Sequence, residues 1–204
     1  MRMSFDIDVG KRLGEAEIGV TFQSGPGITA LFGPSGVGKT SLLNMVAGLL
    51  HPDRGHIRVA GETLFGEGAD CPPERRRAGY VFQDGRLFPH MNVRSNLRYG
   101  MQEGGWMGFD EAVGFLGIAS LLGRWPRTLS GGEAQRVAIG RALLSNPRFL
   151  LMDEPLASLD SARADEIMGV IERIRDELGL PVLYVSHNRA EVHRLATTVI
   201  EMRR

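Results

Sequence analysis

Between two apolar runs, Ile28 to Phe32 and Leu42 to Leu50, the chain carries Gly33, Pro34, Ser35, Gly36, Val37, Gly38, Lys39 and Thr40 in unbroken order. The segment reads as strand, glycine turn and helix. Glycines let backbone N–H groups close on an anion, the lysine brings a mobile positive charge, and a hydroxyl at the helix start suits Mg²⁺. Gly33 to Ser41 is therefore read as the phosphate seat of ATP or GTP, with Thr40 toward the cation. The flanking strand and helix separate this reading from that of a structural glycine turn.

A chain of 204 residues forms one domain that buries about 70% of its unfolded surface. Lys plus Arg number 24 and Asp plus Glu also 24, so no net field invites nucleic acid or an anionic membrane. Phosphate binding must be local. Cys71 is the single cysteine, which excludes an internal disulfide and suits a reducing compartment. The opening Met1 to Asp8 mixes charge into its apolar positions, and no apolar run approaches the ~20 residues of a membrane span. A cytosolic chain follows, one that reaches a membrane only through a partner.

Ser4 to Val9 and Glu15 to Phe22 read as a hairpin joined by Gly10–Gly14. Proline and glycine in His51–Gly55 stop the Leu42–Leu50 helix, and His56–Val59 and Glu62–Phe65 flank a turn at Ala60-Gly61. Tyr80 to Phe82 is a short strand ending in Gln83. From there to Ser145 the pattern is helical, with Gln102–Gly108 as a glycine-rich link around Trp106. Arg75–Arg77 reads as a solvated turn. Strands Arg148–Met152 and Pro181–Val185 enclose a helix whose Ile167, Val170, Ile171, Ile174 and Leu178 share one face, and Thr197–Met202 is a last strand. This alternation implies a largely parallel sheet with ligand at the carboxyl ends of its strands.

Leu129, Ser130, Gly131, Gly132 and Glu133 precede a strong helix pattern, Ala134 to Leu144, with Ser130 near the N-cap. Uncovered N–H groups and the helix dipole make this a second anion seat. If both seats serve one triphosphate, two chains arranged head to tail are the economical geometry. A capped helix with a flexible start is the alternative.

The ordered set of Gly33–Thr40, Gln83, Leu129–Glu133 with Gln135-Arg136, Leu150–Pro155, Ser158–Asp160 and His187 resembles the ATP-binding cassette (ABC) ATPases. Finer detail, Tyr80–Val93 with Asn96–Gly100, is similar to the ATPase subunits of molybdate importers; importers for other solutes share such segments. The resemblance implies an α/β fold: a RecA-like P-loop core at 1–83 and 146–204 with a mixed, largely parallel sheet, an antiparallel β part at the N-terminus, and an inserted helical subdomain at 84–145. It implies ATP and Mg²⁺ as ligands and a homodimer. It also implies permease subunits docked near Gln83–Tyr99, a periplasmic or extracellular solute-binding protein as an indirect partner, and a peripheral place on the cytoplasmic face of the inner membrane. Nucleic acid is not an expected partner.

At the end of a strand, adjacent carboxylates on extended backbone point opposite ways. Asp153, with Thr40 and Gln83, is expected to orient Mg²⁺, and Glu154 to polarise the attacking water; a helix-capping acid pair before Pro155 is the alternative. His187, after a neighbouring strand, takes by resemblance the switch role at the terminal phosphate. Gln83 touches cation, water and helical insert. Asp160 is an N-cap by position and, by resemblance, a contact to the opposite subunit together with Ser130, Gly131, Gly132 and Glu133. Leu87, Phe88, Met91 and Val93 offer apolar docking groups.

Two departures stand out. Cassette ATPases usually stack adenine on an aromatic between their first two strands, where this chain has Gly10–Gly14, leaving Leu13 or Arg12 as weak substitutes. The chain stops at Arg204, where molybdate-importer ATPases commonly continue into an oxyanion-sensing domain, so it is a fragment or lacks that regulation. The leading function is ATP hydrolysis driving molybdate or tungstate import, with import of sulfate, iron or polyamine as alternatives. A soluble cassette ATPase of DNA-repair type needs a coiled coil for which Gln83–Leu129 has no room, and a translation-associated one needs two cassettes.

Overall fold

The computed structural model describes residues 3–203. Met1, Arg2 and Arg204, on which the readings of the two ends partly rest, lie outside them. β1 (Phe5–Leu13) and β2 (Ala16–Ser24) pair antiparallel from Phe5↔Ser24 to Leu13↔Ala16. The hairpin therefore turns at Gly14-Glu15, and the expected turn at Gly10–Gly14 is corrected. Residues 10–13 stay extended along β2, and β1 is also zipped on its other edge to β4 (Arg54–Val59), as far as Gly10↔Arg54. β4 turns into β5 (Glu62–Gly66) through Ala60 and Gly61, both at positive φ, the mirror-image turn that matches strand twist. β6 (Ala69–Asp70) completes a sheet of order β2-β1-β4-β5-β6.

The second sheet holds β3 (Ile28–Phe32), β7 (Ala78–Val81), β8 (Phe149–Asp153), β9 (Val182–Ser186) and β10 (Thr198–Glu201) in the order β10-β3-β9-β8-β7. All its pairings are parallel. An antiparallel N-terminal sheet thus accompanies a parallel one: hairpin-joined strands pair antiparallel, as does β1 with the more distant β4, and the strands joined through helices pair parallel. Along β8, Phe149 and Leu151 face an apolar cluster shared with the antiparallel sheet, while Leu150 and Met152 face the helices. Burial on both faces explains why these strands read as continuous apolar runs.

α1 (Lys39–Ala47) begins three residues before the expected Leu42 and stops at Gly48, whose left-handed φ lets its N–H reach the Asn44 and Met45 carbonyls. Arg76 completes that end by donating to the Met45 and Val46 carbonyls. The solvated reading of Arg75–Arg77 is thus corrected at its middle residue, which is buried. The helical part consists of α2 (Val93–Arg98), α3 (Phe109–Leu116) and α4 (Gly131–Leu144). The Gln102–Gly108 link does separate α2 from α3, but it is pinned: Trp106 Nε1 donates to the Pro147 carbonyl at 3.3 Å. α5 (Ser161–Arg173) widens into a π turn at Ile174–Leu178 and buries the predicted face, and α6 (Arg189–Leu195) leads to β10.

Candidate nucleotide site

β3 delivers the chain to Gly33, and α1 starts at Lys39 with no side chain covering its first N–H groups. Gly38, at φ 102, is the N-cap; a Cβ there would meet Ile18 Cδ1 at 2.8 Å, so both backbone and space demand glycine. β2 is thereby pressed against the phosphate loop. Lys39 is 5% exposed and donates from Nζ to the Gly33 and Pro34 carbonyls at 2.8 and 2.9 Å. An ammonium carries a third N–H, which remains for a ligand oxygen.

Thr40 Oγ1 donates to Asp153 Oδ1 at 3.1 Å, tying the helix start to the last residue of β8. Burial raises the Asp153 carboxyl above the ordinary range, against the opposing effect of the Thr40 hydrogen bond. Thr40, Gln83 and Glu154 share one cleft of about 1090 Å³ with the phosphate loop. Thr40, Asp153 and Gln83 offer hard oxygen donors beside the loop, a set that fits Mg²⁺.

Glu154 does not continue the strand. It sits at φ 44, a left-handed conformation that strains a non-glycine residue by about 1–3 kcal/mol, and its N–H donates to the Val185 carbonyl at 3.0 Å. The two carboxylates thus part company through a backbone turn and not through strand alternation, which corrects the extended reading. Glu154 Oε2 lies 3.0 Å from His187 Nδ1.

The His187 segment is clamped by residues the sequence did not mark. Glu191 Oε2 accepts from the Tyr184 hydroxyl at 2.8 Å and from Ser186 Oγ at 2.7 Å, and Ser186 Oγ accepts the Asn188 N–H. Tyr184 is fully buried, and burial beside that carboxylate pushes its phenol well up. No spacing rule would have found Glu191, which looks like any acid in a first helical turn.

Ser130 caps α4 in a capping box: its Oγ accepts the Glu133 N–H at 3.3 Å, and Glu133 Oε2 accepts the Ser130 N–H at 2.6 Å. That N–H, set against partial burial and helped by Arg124, holds the Glu133 carboxyl below its usual range. Glu133 is thus engaged in its own cap, whereas the Ser130 hydroxyl keeps its proton to give. Asp160 caps α5, accepting from the Arg163 N–H at 3.0 Å. A Cβ on Gly131 would stand 2.8 Å from Leu159 Cδ2, so the Ser130 and Asp160 segments form one surface. None of Ser130, Gly131, Gly132, Glu133 and Asp160 lines the cleft around Lys39.

Leu13 lines the far end of the cleft; Arg12 does not, its guanidinium turning to the Gly14 carbonyl. Of the expected docking groups, Val93 is buried and is not offered to a partner, while Leu87 is half-buried against the helical core. A separate groove of about 370 Å³ lies instead between Tyr80, Phe82, Phe88, Tyr99, Arg86 and Arg141. Arg141 donates to the Gly85 and Arg86 carbonyls, joining α4 to the loop after Gln83.

Residues 17–157 match the family model described as ABC transporter. The molybdenum import ATP-binding protein ModC of Mesorhizobium japonicum is 56% identical, with 97% of this chain and 55% of that protein covered. ModC of Rhodospirillum rubrum is 54% identical, with 96% and 54% covered. The chain spans about half the length of the curated relatives it matches. Among solved structures, the dimeric post-hydrolysis state of the ATP-binding cassette MJ0796 bound to ADP and Pi superposes with a TM-score of 0.76 at 26% identity, covering 98% of this chain and 94% of that one.

Proposed function

We propose, from the premise that this chain belongs to the ABC transporter family, that it is the ATP-hydrolysing part of an importer and that the solute is molybdate or tungstate. The observation that carries the ATPase reading is the convergence of Lys39, Thr40, Gln83 and Glu154 on one cleft, with Asp153 bonded to Thr40 and His187 to Glu154. The likeness to ModC proteins supports the solute.

Backbone N–H groups of Gly36 to Thr40 and the Lys39 ammonium hold the β- and γ-phosphates. Thr40, Asp153 and Gln83 hold Mg²⁺, which when bound neutralises charge on the phosphoryl oxygens. Glu154 orients the water that attacks the γ-phosphorus and accepts its proton as the bond to ADP breaks; His187 fixes that carboxylate and faces the departing phosphate. Ser130, Gly131 and Gly132 of a second copy close the γ side, since in their own chain they stand away from the cleft. The Asp160 loop accompanies them. The work is positioning and charge stabilisation.

The aromatic groove at Tyr80, Phe82, Phe88 and Tyr99 receives a segment of the permease, and Arg141 couples that groove to α4. Among the described residues no helix is long and apolar enough to cross a membrane; the permease is what keeps the chain on the cytoplasmic face. The test is to assemble the chain with its permease and solute-binding protein and measure ATP hydrolysis with each solute. Stimulation by molybdate or tungstate is expected, and stimulation only by sulfate, iron or a polyamine overturns the solute.

A further inference from the structure

We infer that Gln135 is a positioning residue for Gln83: its side-chain amide, unpaired in this fold, takes hold of the Gln83 loop when Mg²⁺-ATP fills the cleft. The inference rests on the reading of that cleft given under the proposed function. Gln83 stands on a loop, and what packs behind a loop decides where its side chains go.

Behind this loop lies one face of α4. Gln135, Ala138 and Arg141 follow one another at helical spacing along it. Arg141 donates to the Gly85 and Arg86 carbonyls at 2.9 and 2.8 Å. A Cβ placed on Gly85 would stand 3.6 Å from Ala138 Cβ and 3.8 Å from Gln135 Oε1, so the loop and the helix face are in close contact. The loop is also tightly bent: the Gly85 N–H donates to the Phe82 carbonyl at 2.9 Å, and φ is 65 at Gly85 and 44 at Arg86. A left-handed arginine is strained, and the two bonds from Arg141 hold the bend against that strain.

The polar grip of α4 on the loop is one-sided. At the end of the face nearer Ser130, Gln135 is 5% exposed, and its Nε2 is buried without an acceptor. Buried amide donors are nearly always bonded, because an unpaired one forfeits the hydrogen bonds it had in water. An apolar side chain of the same length would serve packing better. The loop still has acceptors to give: the Gln83 and Asp84 carbonyls accept no hydrogen bond among the described residues. A movement of the loop that brings one of them to Gln135 pairs the amide and carries the Gln83 side chain with it. A bond made in only one of two arrangements favours that arrangement, so the amide that weakens this one strengthens the loaded one.

The experiment compares the full chain with Gln135→Met, which keeps side-chain length and removes the donor, by melting with and without saturating Mg²⁺-ATP and by steady-state hydrolysis. Without nucleotide the variant is expected to melt about 2 °C or more above the parent. Mg²⁺-ATP is expected to raise the parent by more than the variant, so that the gap closes or reverses. The kcat should fall about fivefold or more while KM for ATP stays within about twofold, since the phosphate loop is untouched. A variant that melts below the parent without nucleotide shows that the amide is already bonded there, and overturns the inference. So does one that melts higher yet turns over at the parent rate, because the residue then only packs. Gln135→Glu keeps an acceptor and loses the donor; a parent-like kcat in it would equally dismiss the donor. If Mg²⁺-ATP raises the melting temperature of neither chain, the proposed nucleotide site itself fails and the inference falls with it, whereas a rise in the parent matched in full by Gln135→Met sinks the inference alone.

Discussion

His187 Nδ1 stands 3.0 Å from Glu154 Oε2, and the two residues follow the ends of the neighbouring parallel strands β9 and β8. The contact fixes the rotamer of a carboxylate whose backbone is already turned out of the strand at φ 44. On the proposed mechanism the carboxylate so held takes the proton of the attacking water. Glu154→Gln keeps an amide within reach of His187 but cannot take a proton. ATP hydrolysis is expected to fall by about 10²- to 10⁴-fold while nucleotide affinity is retained, and the variant should collect as an ATP-bound dimer on size-exclusion chromatography. Turnover near that of the parent chain would remove Glu154 from its role.

The Ser130 cap and the Lys39 loop belong to different faces of one chain, so their cooperation is testable by complementation. Ser130→Arg leaves its own phosphate loop intact, and Lys39→Ala leaves its own Ser130 intact. Each variant alone should be nearly inactive, yet a mixed dimer contains one complete site. Equal mixing in a two-fold dimer is expected to restore about a quarter of the parent activity. Silence on mixing would mean that Ser130 acts within its own chain or not at all.

Local rules made the phosphate loop and both helix caps legible. Gly33–Thr40, Ser130 and Asp160 act through backbone groups within a few residues of themselves, so spacing alone suffices. The Glu191 clamp is as local, running only from Tyr184 to Glu191, yet nothing in the letters around Glu191 separates it from a solvated helix acid until the buried Tyr184 hydroxyl is brought against it. Arg76 misled for the same reason: a run of three arginines looks solvated until the carboxyl end of α1 is brought against it. The Gly10–Gly14 turn failed because two glycines outweighed a pairing with β2 that runs on to Leu13↔Ala16.

Asp153 is a buried carboxylate, and burial raises its proton affinity in the folded chain. Folding then binds a proton at this site more tightly than unfolding does. The associated stability is complete below the ordinary carboxyl range of about pH 4 and declines as pH rises through the raised folded value. Asp153→Asn removes the buried charge while its amide oxygen still accepts from Thr40. In EDTA at pH 7 the variant is expected to melt above the parent, with the gap closing toward pH 4. Mg²⁺-ATP should stabilise the parent far more than the variant. A variant less stable than the parent in EDTA would show that the charge is not costly where it stands.

One carboxylate oxygen of Glu191 holds both the Tyr184 hydroxyl and the Ser186 hydroxyl, and Ser186 in turn fixes the Asn188 N–H on the far side of His187. On the proposed mechanism Glu191 is a positioning residue, keeping His187 against Glu154. Only its acceptor oxygen is needed, not its charge, so Glu191→Gln should preserve both bonds and keep activity within about twofold, a small change beside the roughly 1–3 kcal/mol that an orphaned buried hydroxyl costs. Glu191→Ala leaves Tyr184 unsatisfied and frees the His187 segment. Its kcat is expected to fall about tenfold or more, since small misplacements of a reacting group are amplified in the rate, while KM for ATP stays where the phosphate loop sets it. Steady-state kinetics on both variants, with circular dichroism to confirm folding, decides the matter: equal losses in the two would assign the effect to charge and dismiss the clamp.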